Sequence, residues 1–258
     1  MSIDVSFQQL AEWIEHAKKI VVLTGAGIST ESGIPDFRSQ DGRWTKYQSM
    51  EQVISRDFFK RDPERFWSAF KEIFQLKLMG NFSPNFGHLF FAELEKGGKD
   101  VTILTQNVDG LHQSAGSTRV YELHGTLRTS YCPKCQSQYQ LQDINQQDVP
   151  RCQKRIDNET ICHTILKPSV VLFGDMVRHM ELAAEEVACA DLFVVAGSSL
   201  QVSPVNYLPR IAQMNHRTKS VLINKEKTEM DELFDLVIHR PIGDTLREVK
   251  KYLSDLLL

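Results

Sequence analysis

The sequence predicts an α/β protein, a doubly wound parallel sheet carrying a smaller second lobe, and three observations predict it. Short β-branched runs alternate with segments of helical period along most of the 258 residues, which is the pattern of strands covered on both faces by helices. The first such run, Ile20 to Leu23, leads into Gly25-Ala26-Gly27, as a buried strand does when it turns tightly into a helix whose first N–H groups face a phosphate. Four of the five cysteines fall between positions 132 and 162 and interrupt the alternation, which marks an inserted module.

Composition narrows the classes. With 41% hydrophobic and 24% charged residues, the chain suits one large core and a small second module. A net charge of -3 supplies no long-range attraction to nucleic acid or anionic membrane, and no local basic patch replaces it. No apolar run approaches the roughly 18 residues of a membrane span, and Met1 to Leu10 lacks the basic-then-apolar order of an export signal. The expected compartment is cytoplasmic, where clustered thiols favour metal over disulfides.

In order, Phe7, Leu10, Ala11, Ile14 and Ala17 recur at helical spacing before the first strand. At the glycine turn, Thr30 stands where a dehydrogenase fingerprint has its third glycine, no acidic residue closes a second strand about 20 residues on, and Pro35-Asp36-Phe37-Arg38 follows at once. The polar segment Gln40 to Tyr47 reads as a loop over whatever the turn binds. Phe58, Phe59, Phe66, Trp67, Phe70, Ile73, Phe74 and Leu78 keep helical spacing, with Pro63 placed to start a helix after Asp62; such an aromatic stripe packs more often than it holds a cofactor. Asn85 to Lys96 is a helix ended by Gly97-Gly98, and Val101 to Leu104 a buried strand. Val120 to Leu123 alternates as a short strand. After the cysteines come an extended stretch from Lys167 to Phe173, a helix from Glu181 to Cys189, a strand from Leu192 to Ala196, and a helix from Ser203 to Met214. Strands at Ser220 to Ile223 and Leu236 to Ile238 precede a C-terminal helix from about Gly243.

Open α/β sheets bind ligands outside the carboxyl ends of their strands, where the strand order reverses. Four runs here end in polar or glycine-rich turns: Gly25-Ala26-Gly27, Gln106-Asn107-Val108-Asp109, Gly197-Ser198-Ser199 and Asn224. Any one of them could merely cap a helix, but their joint placement at strand ends points to one cleft. His124 follows a short strand and precedes Gly125, which lets backbone approach a ligand closely. Cys132-Pro133-Lys134-Cys135 is a knuckle whose two thiolates can face one tetrahedral zinc. Cys152 and Cys162, separated by nine residues, complete four soft ligands; His163 adjoins Cys162, so Cys3His is the alternative set. With every ligand position filled by protein, such a metal is structural.

These motifs and their order resemble the sirtuins, the silent-information-regulator family of NAD-dependent protein deacylases. The resemblance is carried by Gly25 to Ser29 with Gly33 to Ser39, by Thr105 to His112, by Glu122-Leu123-His124-Gly125, by the four cysteines, and by Leu166-Lys167-Pro168 running into Val171 to Asp175. Gly197 to Leu200 and Ile223-Asn224 follow in the same order. The departures are the nine-residue gap and the short loop from Gln40 to Trp44.

The resemblance implies a single catalytic domain over 1–258. Its Rossmann part would take residues 1–38, 84–128 and 166–258, and its smaller zinc-binding and helical lobe residues 39–83 and 129–165. The cleft between them would hold NAD and an acylated lysine peptide. Gly25, Ala26, Gly27, Thr30, Asp36, Phe37, Arg38, Gln106, Asn107, His124, Gly197, Ser198, Ser199, Asn224 and Ile242 would contact NAD, while Val108 and Asp109, with Phe37, would hold nicotinamide. Asn107 and His124 would be catalytic, His124 as the base that takes a proton from the ribose diol. Val171, Leu172, Phe173 and Gly174 would pair with the substrate backbone by strand addition, and Cys132, Cys135, Cys152 and Cys162 would hold one zinc. The products would be nicotinamide, which also inhibits, the free lysine peptide and O-acyl-ADP-ribose. ADP-ribose transfer or NAD hydrolysis in the same cleft is the rival within enzymes. A zinc-knuckle module that binds without turnover is the rival outside them, although Lys134, Arg151, Lys154 and Arg155 are scattered and lack interleaved aromatics. Tyr47 followed by Met50 rather than an arginine favours neutral acyl groups.

Overall fold

A six-stranded parallel sheet organises the computed structural model, which describes residues 3–36, 50–74, 81–157 and 160–253. The chain begins with α1 (Ile3–His16), β1 (Lys19–Thr24), α2 (Met50–Val53), α3 (Arg56–Arg61), α4 (Pro63–Ile73), α5 (Phe86–Lys96) and β2 (Asp100–Thr105). Next come α6 (Leu111–Ala115), β3 (Val120–Glu122), β4 (Gly125–Tyr131), β5 (Gln138–Gln140), α7 (Leu141–Asn145) and β6 (Lys167–Val170). It finishes with α8 (Met180–Ala188), β7 (Leu192–Ala196), α9 (Leu208–Met214), β8 (Lys219–Ile223), β9 (Leu236–Ile238) and α10 (Ile242–Lys250).

The main sheet runs β3-β2-β1-β7-β8-β9 and every pairing in it is parallel. Two halves wind outward from β1 and β7, so the strand order reverses between them, the dinucleotide-binding arrangement. The four strand ends singled out in the sequence belong to β2, β1, β7 and β8, the contiguous centre of the sheet.

Strand period explains the two faces. In β1, Ile20 and Val22 pack into a core with Phe7, Leu10 and Ile14 of α1, Phe90, Phe91 and Leu94 of α5, and Leu246 and Val249 of α10. Val21 and Leu23 point the other way, into a core with Ala183 and Val187 of α8 and Leu208 and Ala212 of α9. A run that looks uniformly apolar thus divides residue by residue between two helical layers. Each fully buried aliphatic side chain of this kind contributes roughly 1.5–3 kcal/mol.

The second lobe has its own core and its own three-stranded antiparallel sheet, β5-β4-β6. Phe66, Trp67, Phe70 and Phe74 are buried there with Cys132, Ile144, Cys152 and Leu166, so the aromatic stripe is packing. Trp67 Nε1–H donates to the Leu166 carbonyl at 2.7 Å, fixing α4 against the cysteine module. Asp62 caps α4 by accepting from Arg65 N–H at 3.1 Å, and Pro63 occupies the first turn as expected.

Two elements depart from the sequence expectation. The glycine turn opens a 3₁₀ helix, Ala26–Ser32, instead of an α-helix; Ile28 N–H donates to Gly25 O at 3.1 Å, and the Thr30 hydroxyl donates to Gly27 O at 2.9 Å, so local bonds take the carbonyls an α-turn would use. The helix expected over Ser203 to Met214 is a short 3₁₀ turn, Val205–Tyr207, followed by α9. Pro209 sits in the first turn of α9, where its missing N–H costs nothing. The loop from Gln40 to Tyr47 and Leu78 lie outside the described residues. Among the described residues no helix is long and apolar enough to cross a membrane.

Candidate active site

A cavity of about 700 Å³ opens at the carboxyl ends of the central strands, walled on the other side by Ile54, Phe74 and Leu127. Every expected NAD and peptide residue that the structure describes lines it, from Gly25 and Asp36 through Gln106 to Asp109, His124 and Val171 to Gly174, to Gly197 to Ser199, Asn224 and Ile242. Phe37 and Arg38 lie outside the described residues.

The glycines do two jobs. Gly27 N–H donates to Gly197 O at 2.9 Å, and a Cβ on Gly27 would stand 2.8 Å from Gly197 Cα. Gly197 itself has φ +69, and a Cβ there would meet Ile28 N at 2.4 Å. The two loops at the switch point therefore touch backbone to backbone, which only glycine permits. Above that contact, Gln106 Nε2 donates to Ser198 Oγ at 2.9 Å and joins the ends of β2 and β7.

A hydrogen-bonded cluster floors one end. Asn107, 8% exposed, donates through Nδ2 to Gly25 O at 3.1 Å and Ser29 Oγ at 3.0 Å. Ser29 Oγ–H donates to Asp109 Oδ2 at 2.8 Å, and Asp109 Oδ1 accepts from Leu111 N–H at 2.9 Å. Burial pushes the Asp109 carboxyl above the usual carboxylate range, while the bonds from Leu111 and Ser29 oppose the shift. His124 Nδ1 lies 3.1 Å from the Gln106 carbonyl. Since a carbonyl only accepts, Nδ1 carries the proton and Nε2 presents a lone pair. Burial lowers the His124 pKa from its ordinary 6.5, with the Gln106 bond pulling the other way, so the ring is neutral at pH 7.

The segment after β6 is tied down from both sides. Val171 N–H donates to His124 O at 2.8 Å, Phe173 N–H to Ile54 O at 3.1 Å, and Phe173 O accepts from Arg56 N–H at 2.9 Å. Lys167 Nζ meets Asp175 Oδ2 at 2.6 Å, and the same carboxylate oxygen accepts from Leu172 N–H at 3.2 Å. Leu172 and Phe173 thus already use backbone groups internally, so the segment is a fixed loop with a partly open edge rather than a free strand.

The four cysteine sulfurs of Cys132, Cys135, Cys152 and Cys162 lie within 4.8 Å of one another. Cys132 and Cys162 are 3.7 Å apart and Cys135 and Cys152 3.5 Å, close to the ~3.8 Å edge of a tetrahedron with zinc–sulfur bonds of about 2.3 Å. Cys135 N–H points at Cys132 Sγ from 3.4 Å, the turn expected of a knuckle. The donor set and spacing fit a structural zinc; His163 is not part of the cluster.

The Sir2 family model matches residues 25–204, and NAD-dependent protein deacetylase 2 of Geobacillus kaustophilus (strain HTA426) is 52% identical over 96% of this chain and 98% of its own length. This chain belongs to the Sir2 family. The NAD-dependent protein deacetylase of Bacillus subtilis (strain 168) is 50% identical over 92% of this chain and 96% of its own. A solved Sir2 structure holding a deacetylated p53 peptide and 3′-O-acetyl-ADP-ribose aligns with TM-score 0.86 at 33% identity, across 96% of this chain and 100% of that one.

Within this Sir2 cavity, sequence reasoning gave no role to Ser29, although it shares its hydroxyl between Asn107 and Asp109, nor to His88 and His112 behind it. The available signal was the spacing Asn85-x-x-His88, which the structure shows as a reciprocal helix cap.

Proposed function

We propose that the chain is an NAD-dependent protein-lysine deacetylase that releases nicotinamide and passes the acyl group of a substrate lysine to ADP-ribose. When bound, NAD supplies the electrophilic ribose carbon that takes the acyl oxygen. The glycine contact between Gly27 and Gly197, with Ser198 and Ser199, holds the phosphates, and Thr30, Asp36, Asn224 and Ile242 hold the rest of the cofactor. Val108 and Asp109 grip the nicotinamide, Asp109 as acceptor for its carboxamide, and Asn107 works beside them as the second catalytic residue. His124 takes the ribose hydroxyl proton at Nε2; the Gln106 carbonyl keeps that lone pair aimed into the cavity. Val171 to Gly174 receive the peptide. The observation that carries the reading is the convergence of this neutral, oriented imidazole with Asn107 and Asp109 in a cavity that also contains the peptide segment.

The same reading divides the chain into a Rossmann part and a small lobe at the boundaries given above and places it in the cytoplasm, in keeping with five cysteines that form no disulfide with one another. Zinc staples the small lobe. Purified protein is expected to hold one zinc per chain and Cys132→Ala to release it with a loss of thermal stability; metal-free wild-type protein contradicts this.

Mass spectrometry of an acetyl-lysine peptide incubated with and without NAD tests the function. Loss of the acetyl group only with NAD, together with acetyl-ADP-ribose, is the expected result. Free ADP-ribose with an intact acetyl-lysine, or ADP-ribose attached to protein, would assign the rival reactions instead.

A further inference from the structure

The far wall of the cavity is formed by two segments that leave the sheet side by side, Asn224 to Glu226 after β8 and Arg240 to Ile242 after β9. His239, the first residue past β9, does not line the cavity and has no part in the chemistry above. Its ring nevertheless joins the two segments. Nδ1 lies 3.2 Å from the Asn224 carbonyl and Nε2 lies 2.9 Å from Asp231 Oδ2. A carbonyl and a carboxylate only accept, so the two bonds form together when both ring nitrogens carry hydrogen. Asn224 N–H donates in turn to Ile238 O at 3.2 Å. Both backbone groups of Asn224 are therefore held by the end of β9.

The other anchor of the ring is itself fixed. Asp231 opens a short 3₁₀ turn, Asp231–Leu233, and its Oδ1 accepts from Thr228 N–H at 3.0 Å and from the Thr228 hydroxyl at 2.8 Å. Met230 N–H donates to Thr228 Oγ1 at 3.2 Å and closes the turn. Burial alone would raise the Asp231 carboxyl, but the Thr228 bonds and His239 outweigh it and hold the group below the usual carboxylate range. Oδ2 stays available for His239. The register of β8 on β9 ends at Ile223 and Ile238, so the histidine carries the join one residue further, to the residue that faces the cavity. The His239 and Asp231 side chains are 29% and 23% exposed, and a pair so placed adds little to global stability. Its effect belongs to the order of the loop between Asn224 and Asp231.

We propose that His239 is a positioning residue for NAD: anchored on Asp231, it clamps the Asn224 carbonyl against the end of β9 and so presents Asn224 to the cofactor. The inference rests on the placement of Asn224 against NAD in the deacetylase reading. With the clamp in place the loop is ordered before NAD arrives, and without it the ordering is a cost of binding. That cost is the same for bound substrate and transition state, so it falls on the affinity for NAD and leaves the chemical step alone.

The Kd for NAD by titration calorimetry, steady-state deacetylation kinetics and melting temperature are measured for wild type, His239→Ala, His239→Asn, Asn224→Ala and the double variant carrying Asn224→Ala and His239→Ala. An asparagine side chain places an N–H near the Nδ1 position and keeps the bond to the Asn224 carbonyl. His239→Ala is expected to raise both the Kd and the KM for NAD about 3- to 10-fold, with kcat and the KM for peptide within about twofold of wild type, and His239→Asn to recover most of that loss. Because His239 acts through Asn224, the double variant should bind NAD within about twofold of Asn224→Ala alone. A Kd within about twofold of wild type in His239→Ala overturns the inference. So does a double variant more than about threefold weaker than Asn224→Ala, or a loss that follows melting temperature and is not rescued by Asn. Wild-type protein that binds NAD but does not deacetylate removes the deacetylase reading while the Kd comparison still decides the inference; wild-type protein that does not bind NAD removes both.

Discussion

At the end of the cavity lined by Asn107, Asp109 and His124, polar side chains bond chiefly to one another and to buried backbone, and burial moves the pKa values of both Asp109 and His124. The end lined by Asn224 is built differently. Asn224 Nδ2 donates to Glu226 O within its own loop at 2.7 Å, and Lys225 and Glu226 are exposed. Dipoles and charges fixed in a dry site act strongly on charge that develops during reaction, without reorganising. Contacts at a wet rim hold ground state and transition state alike. The first end should therefore govern kcat and the second KM.

The largest expected effect is at His124. His124→Ala should lower the deacetylation kcat by about 10² to 10⁴ with little change in stability or in the KM for NAD. The wild-type rate should also fall in acid. Because burial lowers the His124 pKa below 6.5, the base stays competent through neutrality and is lost only as pH drops through that depressed value; the Ala variant should lack this limb. A pH–rate comparison of the two proteins checks it, and an acid limb retained in the variant assigns it to another group.

Next in size is Asp109→Asn, expected to weaken nicotinamide inhibition and cut NAD turnover about 10- to 100-fold, because an amide replaces the acceptor and faces the Ser29 hydroxyl and Leu111 N–H with only one oxygen. Dose–response curves for nicotinamide measure this, and unchanged inhibition removes Asp109 from the pocket. The smallest effect belongs to the open end: Asn224→Ala should raise the KM for NAD about 3- to 10-fold and leave kcat nearly untouched. Steady-state kinetics in which the Asn224 variant loses kcat while the Asp109 variant loses only KM would reverse the roles of the two ends.

The sheet was legible because each central strand is an apolar run closed by glycine or amide residues, a signal contained in about ten consecutive positions. The cavity residues were legible for the same reason, since they sit at those strand ends. What escaped was assembled from distant segments. The network of Thr24, Ser29, His88, Thr105 and His112 joins five places in the chain, and no local spacing reveals that a helix-capping histidine also donates to a serine 59 positions earlier. Strands β4 and β5 escaped because Gly125–Tyr131 mixes exposed with buried positions without clean alternation and Gln138–Gln140 buries no residue fully. The backbone contact of the glycine turn with Gly197 escaped because sequence alone does not bring the two loops together.

Exchange of labelled nicotinamide into NAD by His124→Ala tests the division of labour most directly. If His124 acts only as the base after nicotinamide has left, the variant should still exchange label at a substantial fraction of the wild-type rate while net deacetylation is lost. Exchange and deacetylation falling together, or deacetylation continuing near the wild-type rate, would contradict that role.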